Sequence, residues 1–367
     1  MGRAVQLSEE FRLAIECCRQ SFANCDAAGI SHTAKIGSID WSRFQQLVRF
    51  HRIEGLAWNG LESIQIDTPG KVQGALLAAA KKTAGHNLRT SLECRELLGR
   101  FDRAAIPVLF LKGLTLGALA YGDPALKSAI DVDLLIDPAD LGRAANELRA
   151  AGYQLVVPSD RGGEALFAWH RRSKESVWLH NQTGTQIDLH TRTADNPRLI
   201  PDIKVHSPRQ SVEIGGGLSL PTLAADELFA YLAVHGTATV WFRLKWISDF
   251  AGLVHGKEID EIGHLYRRSQ LLGAGRTAAQ ALLLADALFG TLGQHPSLRD
   301  ELLRDRANRI LLGTALRRIS GSIIEPTEHL FGTSPMHWTP FLFRSGGAYW
   351  LSELSAQGGR LINRLRA

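Results

Sequence analysis

The chain has 367 residues, 45% of them hydrophobic, and a formal net charge of +5. That length supports a large core in two or three subdomains, and the modest charge favours an anionic substrate such as a nucleotide without demanding nucleic acid. No apolar run approaches the ~20 residues needed to cross a bilayer, and no charged-then-apolar leader opens the chain.

Residues 1–103 read as an N-terminal helical region, with helices over Ser8–Phe22, residues 40–59 and Pro69–Arg103, and Asp40 as N-cap of the second. Residues 104–221 alternate strand and helix. An apolar strand over Ile106–Leu111 runs into Lys112-Gly113, a helix over Leu114–Tyr121 follows, and Gly122-Asp123-Pro124 closes it. A strand over 131–136 and a helix from Pro138 to about Gly152 come next. Strands over Ser176–Leu179 and Gln186–Leu189 flank the turn-forming Asn181-Gln182-Thr183-Gly184. Ser211–Ile214 and Leu218–Leu220 then form a hairpin around three glycines. Residues 222–320 read as a C-terminal helical domain, with helices over Leu223–Gly236, Trp241–Val254, Glu258–Leu271, Thr277–Leu288 and Ser297–Ile319. The tail, 321–367, is irregular until a final helix from about residue 347. Its arginines, Arg344, Arg360, Arg364 and Arg366, read as a solvated helix face. The expected class is α+β, a mixed sheet between helical regions. Cys17, Cys18, Cys25 and Cys94 lack zinc-ligand spacing and are expected as reduced thiols, with the cytoplasm as address.

The chemistry concentrates in Asp131-Val132-Asp133-Leu134-Leu135-Ile136. In an extended segment Asp131 and Asp133 share one face, while Val132, Leu134 and Ile136 anchor the other in a core. Carboxylates about 7 Å apart along a backbone rising ~3.3 Å per residue can share one hard cation or bridge two, the way Mg²⁺ is held against phosphates. Without a cation they repel each other. Upstream, the strand, the Lys112-Gly113 turn and the following helix N-terminus make an anion-binding element, with Thr115 the nearest hydroxyl.

Together with Tyr121-Gly122-Asp123-Pro124, Lys127-Ser128 and Ile187-Asp188-Leu189-His190, these motifs resemble the uncharacterised bacterial nucleotidyltransferase family of the DNA polymerase beta-like superfamily. The similarity is specific between residues 108 and 192. It is looser over about 40–320, where Asp40-Trp41, His51-Arg52-Ile53, Asn87, His235, Arg243-Leu244-Lys245-Trp246 and Asp249 take part. The resemblance implies a nucleotidyltransferase-type core with Asp131 and Asp133 as paired metal ligands and Asp188 as the third. It places Lys112, Gly113, Thr115, Lys127 and Ser128 on the nucleotide, with Arg243 or Lys245 reaching across from the helical domain. His190 is expected to orient rather than to touch substrate. Lys112-Gly113 stands where the wider superfamily has Gly-Ser, Lys127 where the family more often has Arg, and Thr191 where an aromatic residue is common.

The activity implied is transfer of an NMP from an NTP, ATP the first choice, to a hydroxyl or phosphate of a small molecule or peptide, using two Mg²⁺ ions. Neither a membrane nor a nucleic acid is expected as partner. The alternatives are a catalytically silent nucleotide-binding regulator on this scaffold, and a phosphotransferase using the same triad.

Overall fold

Alternation along residues 131–136 produces a central strand with one acidic and one apolar face. The computed structural model describes residues 6–23, 38–64, 66–159, 163–293, 295–321 and 323–366. Cys25 lies outside them. The main sheet contains β1 (Val108–Phe110), β2 (Asp131–Ile136), β3 (Tyr153–Val157), β4 (Glu175–His180) and β5 (Gln186–His190), in spatial order β1-β2-β5-β4-β3. β2 and β5 run parallel, and every other pair is antiparallel. A hairpin, β6 (Arg209–Glu213) and β7 (Ser219–Leu223), forms a second sheet.

Among the described residues, four helices precede the sheet: α1 (Glu9–Gln20), α2 (Trp41–His51), α3 (Glu54–Ile64) and α4 (Gly70–Arg103). Within the sheet region lie α5 (Leu114–Tyr121), α6 (Leu141–Ala150) and α7 (Gly163–His170). After the hairpin come α8 (Ala225–Ala238), α9 (Leu244–Val254), α10 (Ile259–Leu271), α11 (Gly275–Phe289), α12 (Pro296–Arg304) and α13 (Arg306–Gly321). The tail holds α14 (Ser334–Trp338) and α15 (Gly347–Arg366).

Two apolar cores sandwich the strands. Val132, Leu134, Ile136, Ile187, Leu189 and Trp178 point to one side, where they pack with residues of α4 and α6. Leu135 and Leu109 point to the other and join a core shared by the N-terminal helices and α8–α13. Each fully buried aliphatic or aromatic side chain contributes roughly 1.5–3 kcal/mol, so both ends of the chain hold the sheet from one side.

Asp40 caps α2 as expected, its side chain accepting the Arg43 N–H at 3.0 Å. The helix expected over 40–59 is instead two, broken where Arg52 adopts φ 55°. Just before the break the buried His51 accepts the Leu244 N–H on its Nδ1 at 3.0 Å, a tertiary bond to the start of α9. The helix expected over 297–319 also divides, at Asp305, whose carboxylate accepts the Ala307 N–H and so starts α13. α9 begins at Leu244 rather than Trp241, because Val240 and Trp241 both take positive φ. The Trp241 ring packs so closely on Gly236 that a Cβ there would lie 2.2 Å from it. β3 and α7 had no counterpart in the sequence reading.

Candidate active site

Parallel pairing of β2 with β5 sets Asp133 directly opposite Asp188, and Asp131 opposite Gln186. Neighbouring strands lie ~4.8 Å apart, so this register alone brings the carboxylates together. One oxygen each from Asp131, Asp133 and Asp188 falls within 4.8 Å of the others. Hard carboxylate oxygens at that spacing suit Mg²⁺ or a similar cation.

The three acids are not equivalent. Asp133 is buried, and its Oδ1 meets Lys112 Nζ at 2.8 Å and His190 Nε2 at 3.1 Å. Burial opposes its charge, yet the Lys112 ammonium and His190 hold its carboxyl well below the usual carboxylate range. Both contacts fall on Oδ1, which leaves Oδ2 for a cation. Asp188 is pushed up to about 7, first by burial and then by the Asp133, Asp131 and Glu175 carboxylates. Its Oδ1 accepts from Gln186 Nε2 at 2.9 Å. The repulsion expected within the Asp131–Asp133 pair is thus offset at Asp133 and falls mainly on Asp188.

His190 is fully buried, its Nδ1 lying 3.3 Å from Glu175 Oε2. The β4–β5 register makes that contact, because Glu175 pairs directly with His190. Glu175 in turn pairs with Lys174. His190 therefore stands between two carboxylates.

A cavity of about 330 Å³ opens beside the acids, walled by Lys112, Gly113, Lys127, Ser128, Asp131, Asp133 and Gln186 from the sheet region. Arg52, His235, Trp241, Lys245, Trp246 and Asp249 close it from the helices. Gly113, the N-cap of α5, has φ 70° and ψ −123°, a conformation that only glycine adopts readily. Lys127 is buried against Asp249 at 3.0 Å, and Asp249 also accepts the Tyr121 hydroxyl at 2.9 Å. Asn87 fixes that segment by donating to the Pro124 and Lys127 carbonyls, both at 2.7 Å. Lys245 is drawn down to about 7, by burial and then by the Lys127 ammonium. Two buried polar atoms of wall residues, His235 Nε2 and Trp241 Nε1, have no hydrogen-bond partner among the described residues. Buried polar groups are nearly always satisfied, so this wall fits a polar ligand.

A family model described as an uncharacterised nucleotidyltransferase matches residues 37–290. The chain belongs to that family. Every acid and every cation of the cavity lies inside the matched span. Comparison with curated proteins gives no match. Membership supports a transferase, and the acidic triad supports a divalent-cation site. Among the described residues, no helix is long and apolar enough to cross a membrane.

Of the nucleotide contacts expected from sequence, Lys112, Gly113, Lys127, Ser128 and Lys245 all reach the cavity wall. Two other residues do not. The Thr115 hydroxyl is buried and donates to the Phe110 and Lys112 carbonyls. Arg243 is buried elsewhere, bonded to the Phe50 carbonyl and Glu325, with its guanidinium over the Phe50 and Phe242 rings. Arg52, unassigned from sequence, lines the cavity instead. Glu175 and Lys174 were missed as well. The only signal for Glu175 was its place opposite His190 once the hairpin register was known.

Proposed function

We propose that this protein is a Mg²⁺-dependent nucleotidyltransferase that moves an NMP from an NTP, ATP first, to a hydroxyl or phosphate of a small molecule or peptide. The observation that carries the reading is the pairing of three converging carboxylates with a cavity that Lys127 lines from the sheet region and Lys245 and Arg52 line from the helices. A triphosphate needs cations on both sides, and a phosphoryl centre needs its charge met where it develops. In this reading Asp131, Asp133 and Asp188 hold the metal. Mg²⁺ bound there supplies Lewis-acid stabilisation of the departing pyrophosphate and lowers the pKa of the acceptor oxygen. Lys112 and His190 keep Asp133 ionised and aimed. Backbone N–H groups at the start of α5, after Gly113, receive phosphate oxygens. Asp188 orients the acceptor and takes its proton. The acceptor oxygen then bonds to the α-phosphorus, and the bridging bond breaks with its electron pair leaving on pyrophosphate.

The test is incubation with Mg²⁺, cell extract and each NTP labelled at either the α- or the γ-phosphorus. Label from the α position on an acceptor supports nucleotidyl transfer. Label from γ establishes a phosphotransferase. Nucleotide binding with no label transferred from any NTP leaves the regulatory reading.

A further inference from the structure

The last helix, α15, buries Tyr349 and Ala356 on its inward side but leaves a second apolar face in solvent. Its inward side carries Glu353, Arg360 and Asn363, with Glu353 bonded to Asn196, Gln357 and Arg360. Its outward side is apolar: Leu351, Leu354 and Leu361 are 69%, 58% and 59% exposed, and Trp350 and Ile362 are exposed beside them. At about 100° per residue these five side chains fall within an arc of roughly 120°. Solvent-facing apolar arcs of this kind mark an interface. One edge of the arc is bounded by the α14 region, where Gln357 donates to the His337 carbonyl at 2.7 Å and Trp350 to the Phe341 carbonyl at 3.0 Å.

The other edge meets a cationic cleft. Arg171, Arg172, Arg192 and Arg198 line a cavity of about 470 Å³ with Ser352 and Ser355 of α15, and Leu351 belongs to both cleft and arc. The cleft's one carboxylate among the described residues, Asp195, is already paired with Arg360 at 3.3 Å. Arg192 Nε is buried with no partner among the described residues. Guanidiniums gathered with so little countercharge call for an anion, and their planar forks suit phosphate. The only acid on α15, Glu353, faces inward, so nothing on the outward arc repels an anionic surface.

We propose that α15 and its arginine cleft form a docking surface for an anionic phospholipid membrane, the arc entering the acyl boundary and the cleft taking headgroup phosphate. Two weak signals side by side are what reversible membrane attachment requires, and no spanning helix is needed. A soluble phosphate fills the cleft but leaves the arc uncovered. A second copy covers the arc but brings another set of arginines beside the first.

The test is co-sedimentation of the full chain with vesicles of phosphatidylcholine alone or mixed with phosphatidylglycerol. The wild-type protein is expected to bind the anionic vesicles at least about ten-fold better than the neutral ones, less so at high salt. Leu354→Glu with Leu361→Glu, and separately Arg171→Gln with Arg198→Gln, are expected to lose at least about ten-fold of that binding. All four side chains are exposed, so the melting temperature should hold; Leu354→Ser repeats the arc test if the double variant melts early. Protein left in the supernatant overturns the proposal, as does equal binding to neutral vesicles. So does a wild-type dimer that the leucine pair converts to monomer without any vesicle binding. Inorganic phosphate binding lost in the arginine pair, with no vesicle binding, assigns the cleft to a soluble anion instead.

Discussion

The two faces of β2 and β5 belong to the same residues' neighbours yet obey different rules. On one face Val132, Leu134, Ile187 and Leu189 fill an apolar core; on the other, Asp131, Asp133, Asp188 and His190 crowd charge into a partly buried space. Alternation lets each strand serve both, because a side chain's face is fixed by parity. The apolar face supplies the stability that lets the acidic face keep the carboxylate repulsion that falls on Asp188. Substitutions on the two faces should therefore separate stability from chemistry.

The widest separation is expected from Asp188→Ala. Turnover should fall by about a thousand-fold or more, because the acceptor loses the group that aligns it. Mg²⁺–nucleotide affinity should stay within a few-fold, since Asp131, Asp133 and the cavity cations remain. Calorimetric titration with a non-hydrolysable NTP beside a turnover assay measures both, and an unchanged rate would place the third ligand elsewhere.

Leu189→Ala on the opposite face should do the reverse. Deleting a fully buried leucine costs about 2–5 kcal/mol. Chemical denaturation should record that loss while kcat per folded molecule stays put; a rate falling as far as in Asp188→Ala would show that the faces are not independent.

Gly113→Val tests the turn beside the acids. A β-branched residue at φ 70° is strained by about 1–3 kcal/mol and also crowds the approach of phosphate to the backbone. Nucleotide affinity should drop several-fold more than thermal stability accounts for. Gly70→Val, at a site with nothing within 4 Å of a Cβ, is the control.

The smallest effect concerns a proton. Lys245 titrates near 7 in the folded protein, against an ordinary 10.5, because it is buried beside Lys127. Between those values the unfolded chain holds the proton and the folded one does not, so stability rises with pH across that window. A bound triphosphate favours the ammonium and restores the proton. Nucleotide binding at pH 8 should therefore take up a fraction of one proton, read from calorimetry in buffers of different ionisation enthalpy. Lys245→Met should abolish the uptake, and equal uptake in the variant would remove Lys245 from the phosphate site.

How much of this was legible in the sequence depended on whether the information was local. β2, α5, the β4–β5 hairpin and the Asp40 cap follow from parity, glycine positions and a capping residue, all readable within a few positions. The break at Arg52 is not, since neither glycine nor proline marks it and a tertiary bond from Leu244 to His51 holds it. β3 escaped because it is a bulged edge strand with only one fully buried side chain, Tyr153. At the site, the acids were legible from spacing and resemblance, but the destination of a long cation was not. Lys245 and Arg243 are two residues apart, and only the turn of α9 sends one to the cavity and the other to Glu325.

The Arg52 turn also bears on how far this protein can be divided. The residue reaches the cavity beside the acids from a segment more than fifty positions before the first strand, and its flanking helices share their apolar core with α8–α13. The acid-bearing sheet is therefore no detachable module. A fragment beginning at residue 104 would keep all three acids yet lack one wall of its own cleft and expose the apolar surface that α1–α3 cover. Shortening the chain from the front should cost solubility and nucleotide affinity together, even though all three acids of the sheet remain.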